Sequence, residues 1–217
     1  MNLTVFAIEL FVIVLGITFH EFGHALAADR LGDPGPRAER RLTIRPDRHM
    51  ELIGFVFIII TISAGFGLGW GKPVMVNPRW FRRPKRDMML VALAGPAMNL
   101  AQALVYALGM RVLFVAAPIM RGSLSLLDLA ARVCIAGVLL NLALMFFNLL
   151  PIFPLDGSKV VAGLLPDGMS VAWTAFGQRY GSMFLIGLFL LGGRVLGSTL
   201  EPAITHVAGL LLPSGLL

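Results

Sequence analysis

The chain has 217 residues, 57% of them hydrophobic and only 14% charged, with a formal net charge of +6. Soluble domains carry about 25% charged residues, so this deficit, with a mean hydropathy of +0.83, excludes an ordinary water-soluble domain and indicates an integral membrane protein. The positive charge gathers in two loops and is better explained as a topology signal than as a nucleic-acid surface, and the lone Cys134 excludes an intramolecular disulfide.

Residues 3–28 read as a first transmembrane helix. No Lys or Arg precedes its apolar run and Glu9 interrupts it, so a cleaved signal peptide is not expected. Near its end stands His20-Glu21-Phe22-Gly23-His24. A helix turns about 100° per residue, so His20 and His24 fall one turn apart on one face. Two imidazoles so placed suit one Zn²⁺, and Glu21 suits a base acting on water. The plainer alternative is a hydrogen-bonded histidine pair beside a solvated Glu. Against it, ionisable residues on a membrane-length apolar segment are costly and usually functional.

Residues 29–51 are polar and Arg-rich, and Pro34, Gly35 and Pro36 are expected to exclude a helix there. Alternation over Arg41-Leu42-Thr43-Ile44-Arg45 predicts a short β-strand, and Lys72-Pro73-Val74-Met75-Val76 a second. Between them, 52–71 is uncharged and long enough to span, but its second half is glycine-rich and a poor helix. Residues 72–87 form the second basic loop. Met88 to Met110 is a second clear span and Val133 to Leu150 a third. Pro151 and Pro154 end the third, and Asp156 sits in the break. Non-helical backbone at membrane depth persists only inside protein or beside a wet cavity. A metal would account for Asp156, since two His and a carboxylate leave a fourth zinc position open. An N-cap for a helix starting at Gly157 accounts for it equally. Residues 171–193 and 199–212 hold one or two further spans.

Taken together, His20-Glu21-Phe22-Gly23-His24 and Asn148-Leu149-Leu150-Pro151-Ile152-Phe153-Pro154-Leu155-Asp156-Gly157 resemble the site-2 protease family of intramembrane zinc metalloproteases, and Ala94-Gly95-Pro96 with Asn99 resembles that family's middle core helix. Lys72-Pro73-Val74 to Asn77-Pro78 is similar to the loop of the short bacterial and archaeal branch. The resemblance covers roughly residues 10 to 160 and implies one Zn²⁺ per chain held by His20, His24 and Asp156, with Glu21 as catalytic base. Asn148 would position substrate or stabilise the oxyanion. No stretch has room for a PDZ or CBS module.

The fold class expected is an all-α, polytopic membrane bundle: a single domain over 1–217 with its core at about 3–160, three core helices, one or two C-terminal spans, a re-entrant segment and short β-strands. For the ligands to meet at one depth, the first and third helices must run parallel and the second oppositely. The two basic loops then share one side, cytoplasmic by the excess of Lys and Arg. Segment 52–71, joining them, becomes a re-entrant or hairpin element broken within its glycines. The implied substrate is a membrane protein whose transmembrane helix unwinds locally, and the implied location is a bacterial or archaeal cell membrane. An extended substrate pairing with the 41–45 or 72–76 strand is a further expectation. The sequence leaves oligomeric state open. Competing functions are a membrane metal transporter or metal-binding protein, and an inactive scaffold of the same fold. His49 and His206 read as packed or interfacial, and Trp70, Trp80 and Trp173 as interfacial anchors.

Overall fold

The computed structural model describes residues 2–63, 69–116, 124–191 and 193–214. Nearly everything described is helix. Helix α1 is Leu3–Leu31, started by the Asn2 side chain accepting from Thr4 N–H and ended by Gly32 at φ 112°, a left-handed turn that glycine adopts without strain. Two single-turn helices follow, α2 (Gly35–Ala38) and α3 (Pro46–His49), in the segment where prolines and glycine were expected to exclude a helix; proline in a first turn gives up an N–H that has no partner there anyway, so the expectation fails. Helix α4 (Leu52–Ser63) comes next. Helix α5 (Pro84–Ala116) and α6 (Leu124–Asn148) complete the core, and α7 (Asp156–Leu164), α8 (Asp167–Leu191) and α9 (Gly193–Leu211) close the chain.

Among the described residues, α1, α5 and α6 are long and apolar enough to cross a membrane. Their outward faces stay apolar: Phe11, Leu104, Val105, Leu108, Val112 and Phe114 are exposed. Faces of this size and character match lipid better than water. The C-terminal segments, expected to supply one or two more spans, form α8 and α9, which are helical but fall outside that set of three. Inside, Ala103, Ala107, Val138, Leu142 and Ala208 bind α5, α6 and α9 together, while Ile13, Ile17, Ile58 and Ile62 join α1 to α4.

Cross-contacts fix the helix directions. Gly16 and Asn141 lie beside Asn99, whereas His24 reaches Val91. Advancing along α1 therefore means retreating along α5, so the two are antiparallel. Advancing along α6 past Asn141 leads to Asp156 beside His20 and His24, so α6 runs with α1.

Two further expectations need correction. The β-strands at 41–45 and 72–76 do not form, and the described residues hold only an isolated antiparallel bridge between Met50 and Gly71. Their backbone groups find other partners. Arg41 N–H donates to Pro36 O, Lys72 N–H to His49 O, Val74 N–H to the Glu21 carboxylate and Asn77 N–H to that of Asp33. Alternation over five residues cannot make a strand when no neighbour offers a ladder. Nor is the re-entrant segment supported as such. Leu52–Ser63 is one helix of 12 residues, about 18 Å long and too short to span. The break expected within the glycines falls at 64–68, outside the described residues, and extended chain at 69–71 comes back beside Met50 and Gly54.

Candidate metal centre

His20 and His24 point from one face of α1 into the bundle and are 7% and 8% exposed. Their rings stand edge to face, 4.6 Å apart. Helix α5 supplies what each ring needs. Val91, Gly95 and Asn99 recur every four residues and so form one stripe. Val91 O accepts from His24 Nδ1 at 2.7 Å, and Asn99 Oδ1 accepts from His20 Nδ1 at 2.6 Å. A carbonyl oxygen cannot donate, so the neutral His24 ring carries its proton on Nδ1 and leaves Nε2 as a lone pair. Gly95 lies between: a Cβ there would stand 2.4 Å from His24 Nε2 and 2.7 Å from His20 Cε1. The site exists because that position has no side chain.

Asp156 arrives from the other end of the chain. It is the first residue of α7, whose N-terminal dipole favours a carboxylate. It does not cap that helix. Leu155 is the N-cap residue, and the Asp156 carboxylate turns toward the histidines. Its Oδ2 lies 3.1 Å from His20 Nε2 and 3.0 Å from His24 Nε2, while the two Nε2 atoms are 3.0 Å apart. Its Oδ1 meets Lys159 Nζ at 3.1 Å. Gly157 permits the approach, because a Cβ there would sit 2.1 Å from Leu149 O.

These atoms fit a metal ion. Asp156 Oδ2 is buried and no hydrogen bond satisfies it, and it faces His20 Nε2 and His24 Nε2, which in neutral rings donating from Nδ1 are lone pairs. Three acceptors facing one another at 3 Å repel unless a cation sits among them. All three ligand atoms lie within 4.8 Å of one another. In a tetrahedral zinc shell with bonds of about 2.0–2.1 Å, neighbouring ligand atoms are about 3.3 Å apart. Two imidazoles and one carboxylate are a donor set zinc accepts, with one position left open.

Glu21 lies beside His20 on α1, and the chain from Gly71 to Val74 covers it. Val74 N–H donates to Glu21 Oε2 at 3.2 Å, and a Cβ on Gly71 would come within 3.1 Å of Glu21 Cγ. Arg41, 2% exposed, fastens this cover by donating to the carbonyls of Arg48 and Lys72. Burial holds the Arg41 guanidinium below its ordinary range, with Glu21 and Glu39 opposing. Burial likewise lowers His49, whose Nε2 meets Thr43 O at 2.6 Å; that bond opposes the shift and the charge of Arg41 reinforces it.

Sequence reasoning named His20, Glu21, His24 and Asp156, and the structure brings His20, His24 and Asp156 together as a group that could hold a metal ion, with Glu21 next to His20 along α1. Asn148 is not joined to them. Its amide donates to Leu144 O at 2.9 Å, one turn back on α6, and among the described residues it makes no bond to the ligands. Trp173, expected at an interface, ties α8 to α7 by donating to Ser158 O. His49 is packed, as expected, and His206 is exposed. Lys159, Asn141 and the Val91 carbonyl were not singled out. Asn141 alone carried a signal, an amide within a membrane-length apolar run.

Sequence comparison finds relatives over most of the chain. YwhC of Bacillus subtilis is 34% identical over 194 residues, spanning 85% of this chain and 81% of that protein. Rip2 of Mycobacterium tuberculosis strain H37Rv is 34% identical over 185 residues, 82% of this chain and 64% of that one. Rip2 of Mycolicibacterium smegmatis is 33% identical over 152 residues, 66% and 52% respectively. All three bear the provisional name of zinc metalloprotease. No family profile matches the chain, and no solved structure does.

Proposed function

The chain belongs to the site-2 protease family of intramembrane zinc metalloproteases, and from that premise we propose that it hydrolyses peptide bonds within or near transmembrane segments of other membrane proteins. The observation that carries this reading is the meeting of His20, His24 and Asp156, with an unsatisfied carboxylate oxygen turned to two lone pairs and Glu21 beside them. His20, His24 and Asp156 would hold one Zn²⁺, which when bound supplies Lewis acidity toward the scissile carbonyl. Glu21 takes the proton from the attacking water and returns it to the leaving amine. Val74 N–H holds the Glu21 carboxylate in one orientation for that transfer. Asn148, with one amide hydrogen on Leu144 O, has its carbonyl and second hydrogen for the substrate main chain.

A transmembrane helix protects its own amides, so the substrate must unwind before its carbonyl reaches the site. Helix-weakening residues near the cut are therefore expected. The protein would reside in a bacterial cell membrane, crossed by α1, α5 and α6, with the basic loops on the cytoplasmic side. The test is cleavage of a single-span reporter by purified wild type and Glu21→Gln, with zinc content measured on both. Loss of about 10²–10⁴ in rate with zinc retained is expected of a missing general base. Undiminished cleavage by the variant would remove Glu21 from the mechanism.

A further inference from the structure

Behind His20 runs a chain of hydrogen bonds that crosses all three core helices. Asn141 on α6 donates from Nδ2 to Gly137 O at 2.9 Å. Its Oδ1 accepts from Asn99 Nδ2 on α5 at 3.0 Å. The same Asn99 nitrogen donates to Gly16 O on α1 at 3.1 Å, and Asn99 Oδ1 meets His20 Nδ1 at 2.6 Å. Both amides are fully buried, at 0% exposure, so water cannot substitute for any of these partners.

The direction of this chain is forced. A side-chain amide can be turned end for end without changing its shape, so its orientation has to come from its partners. Gly137 O only accepts, so Asn141 must present its NH₂ there and its oxygen to Asn99. Asn99 must then present its NH₂ to that oxygen and to Gly16 O, which also only accepts. Its own oxygen is left facing His20, so His20 Nδ1 must donate, and in the neutral ring Nε2 is the bare nitrogen. We propose that Asn141 is a positioning residue for the metal centre. Acting through Asn99, it holds His20 in the tautomer whose Nε2 faces Asp156 and is free to bind zinc.

Why two amides rather than one? Gly16 O alone uses one of Asn99's two amide hydrogens. Without Asn141 the other is buried and unpaired, which costs about 1–3 kcal/mol. Flipping Asn99 would then set its oxygen against Gly16 O alone instead of against both Gly16 O and Asn141 Oδ1, and the preference for one orientation shrinks. Gly16 keeps α1 and α6 close enough for the chain to close, since a Cβ there would stand 2.8 Å from Leu144 Cδ1 and 3.3 Å from Asn141 Oδ1.

The inference rests on the metalloprotease reading for its purpose, but its test does not need activity. Full-length protein with ¹⁵N-labelled histidine reports the tautomer of each of its four imidazoles, and His20→Gln identifies the His20 signals. Zinc affinity is measured in parallel by competition with a chelator. The metal-free wild type should show His20 protonated on Nδ1. Asn141→Leu should give a mixture of tautomers and bind zinc about tenfold more weakly, the range typical of a lost supporting residue. Asn141→Asp should restore both. Protonated, it donates to Gly137 O and accepts from Asn99; ionised, it still accepts from Asn99. Asn141→Ala, which leaves space instead of filling it, serves in place of the Leu variant if that does not fold. Weaker zinc binding with an unchanged His20 tautomer would reduce Asn141 to a packing role and overturn the proposal, as would no change in either. If wild type bound no zinc while the tautomer still followed Asn141, the positioning would stand and the metalloprotease reading would fall.

Discussion

The sharpest consequence of the geometry concerns a methyl group. In Gly95→Ala, the new Cβ would fall 2.4 Å from His24 Nε2, 2.5 Å from His24 Cε1 and 2.7 Å from His20 Cε1. Ordinary van der Waals contact begins at 3.4 Å, so one ring must retreat by about 1 Å or α5 must move off α1. Neither is free. The His24 ring is anchored by Val91 O on the same helix, and α1 meets α5 so closely at Gly23 that a Cβ there would lie 2.7 Å from Ala94 O. Overpacking of this kind costs about 1–3 kcal/mol, which applied to the ligand geometry weakens zinc binding about 5- to 150-fold. Metal sites tolerate only about 0.2 Å of displacement, which argues for the upper part of that range. Meanwhile Ala is a better helix former than Gly by about 1 kcal/mol. The metal-free variant should therefore keep its helix content while its zinc affinity collapses. Chelator competition paired with circular dichroism reads the two separately. Wild-type zinc affinity in Gly95→Ala would refute the claim that an absent side chain makes the site.

Asp156→Ala should lower zinc affinity by more than the ~10–100-fold typical of a lost supporting residue, because it removes one of the three ligand atoms; metal content of purified variant and wild type checks this. His49 gives a pH dependence in the loop. Burial lowers its folded-state pKa, so below about pH 6.5 the unfolded chain binds a proton that the folded loop does not. Stability from this group is complete above pH 6.5, falls as pH drops through that value, and levels off below the lowered folded-state pKa. Amide exchange in residues 41–50 should quicken over that window in wild type and much less in His49→Gln.

Much of the bundle was legible because a membrane helix announces itself by length and apolarity alone. The spacing of His20 and His24 made their shared face legible too, since four residues is one turn whatever surrounds them. Asp156 was harder: two prolines marked a break, but a cap and a ligand look alike in sequence, and only the resemblance to a family separated them. In the structure its carboxylate points at the histidines and Leu155 takes the cap position. The five-residue alternations at 41–45 and 72–76 misled because pattern says nothing about a neighbouring edge. There the backbone donors go instead to Glu21, Asp33, Pro36 O and His49 O. Asn141 escaped notice because its meaning is a contact with Asn99, 42 residues away, and through it with His20.

What the sequence conceals most is that the ligand geometry is a matter of helix register. Val91, Gly95 and Asn99 repeat at four residues on α5, and His20 and His24 at four residues on α1. Because the helices are antiparallel, the pairs match in reverse: Asn99 with His20, Val91 with His24, and Gly95 against both. A slide of α5 by one turn that set Gly95 opposite His20 would deprive that ring of the Asn99 oxygen and would bring the Val91 side chain against the rings in the place of Gly95. The lost bond belongs to a group that is more than nine-tenths buried, where an unpaired polar atom is most costly. The bonds that fix each imidazole's proton therefore also fix the register of the core. Lipid supplies no hydrophobic drive for one helix to prefer a particular height on another. In this bundle the polar contacts supply that preference, which makes the candidate metal centre part of the scaffold and not an addition to it.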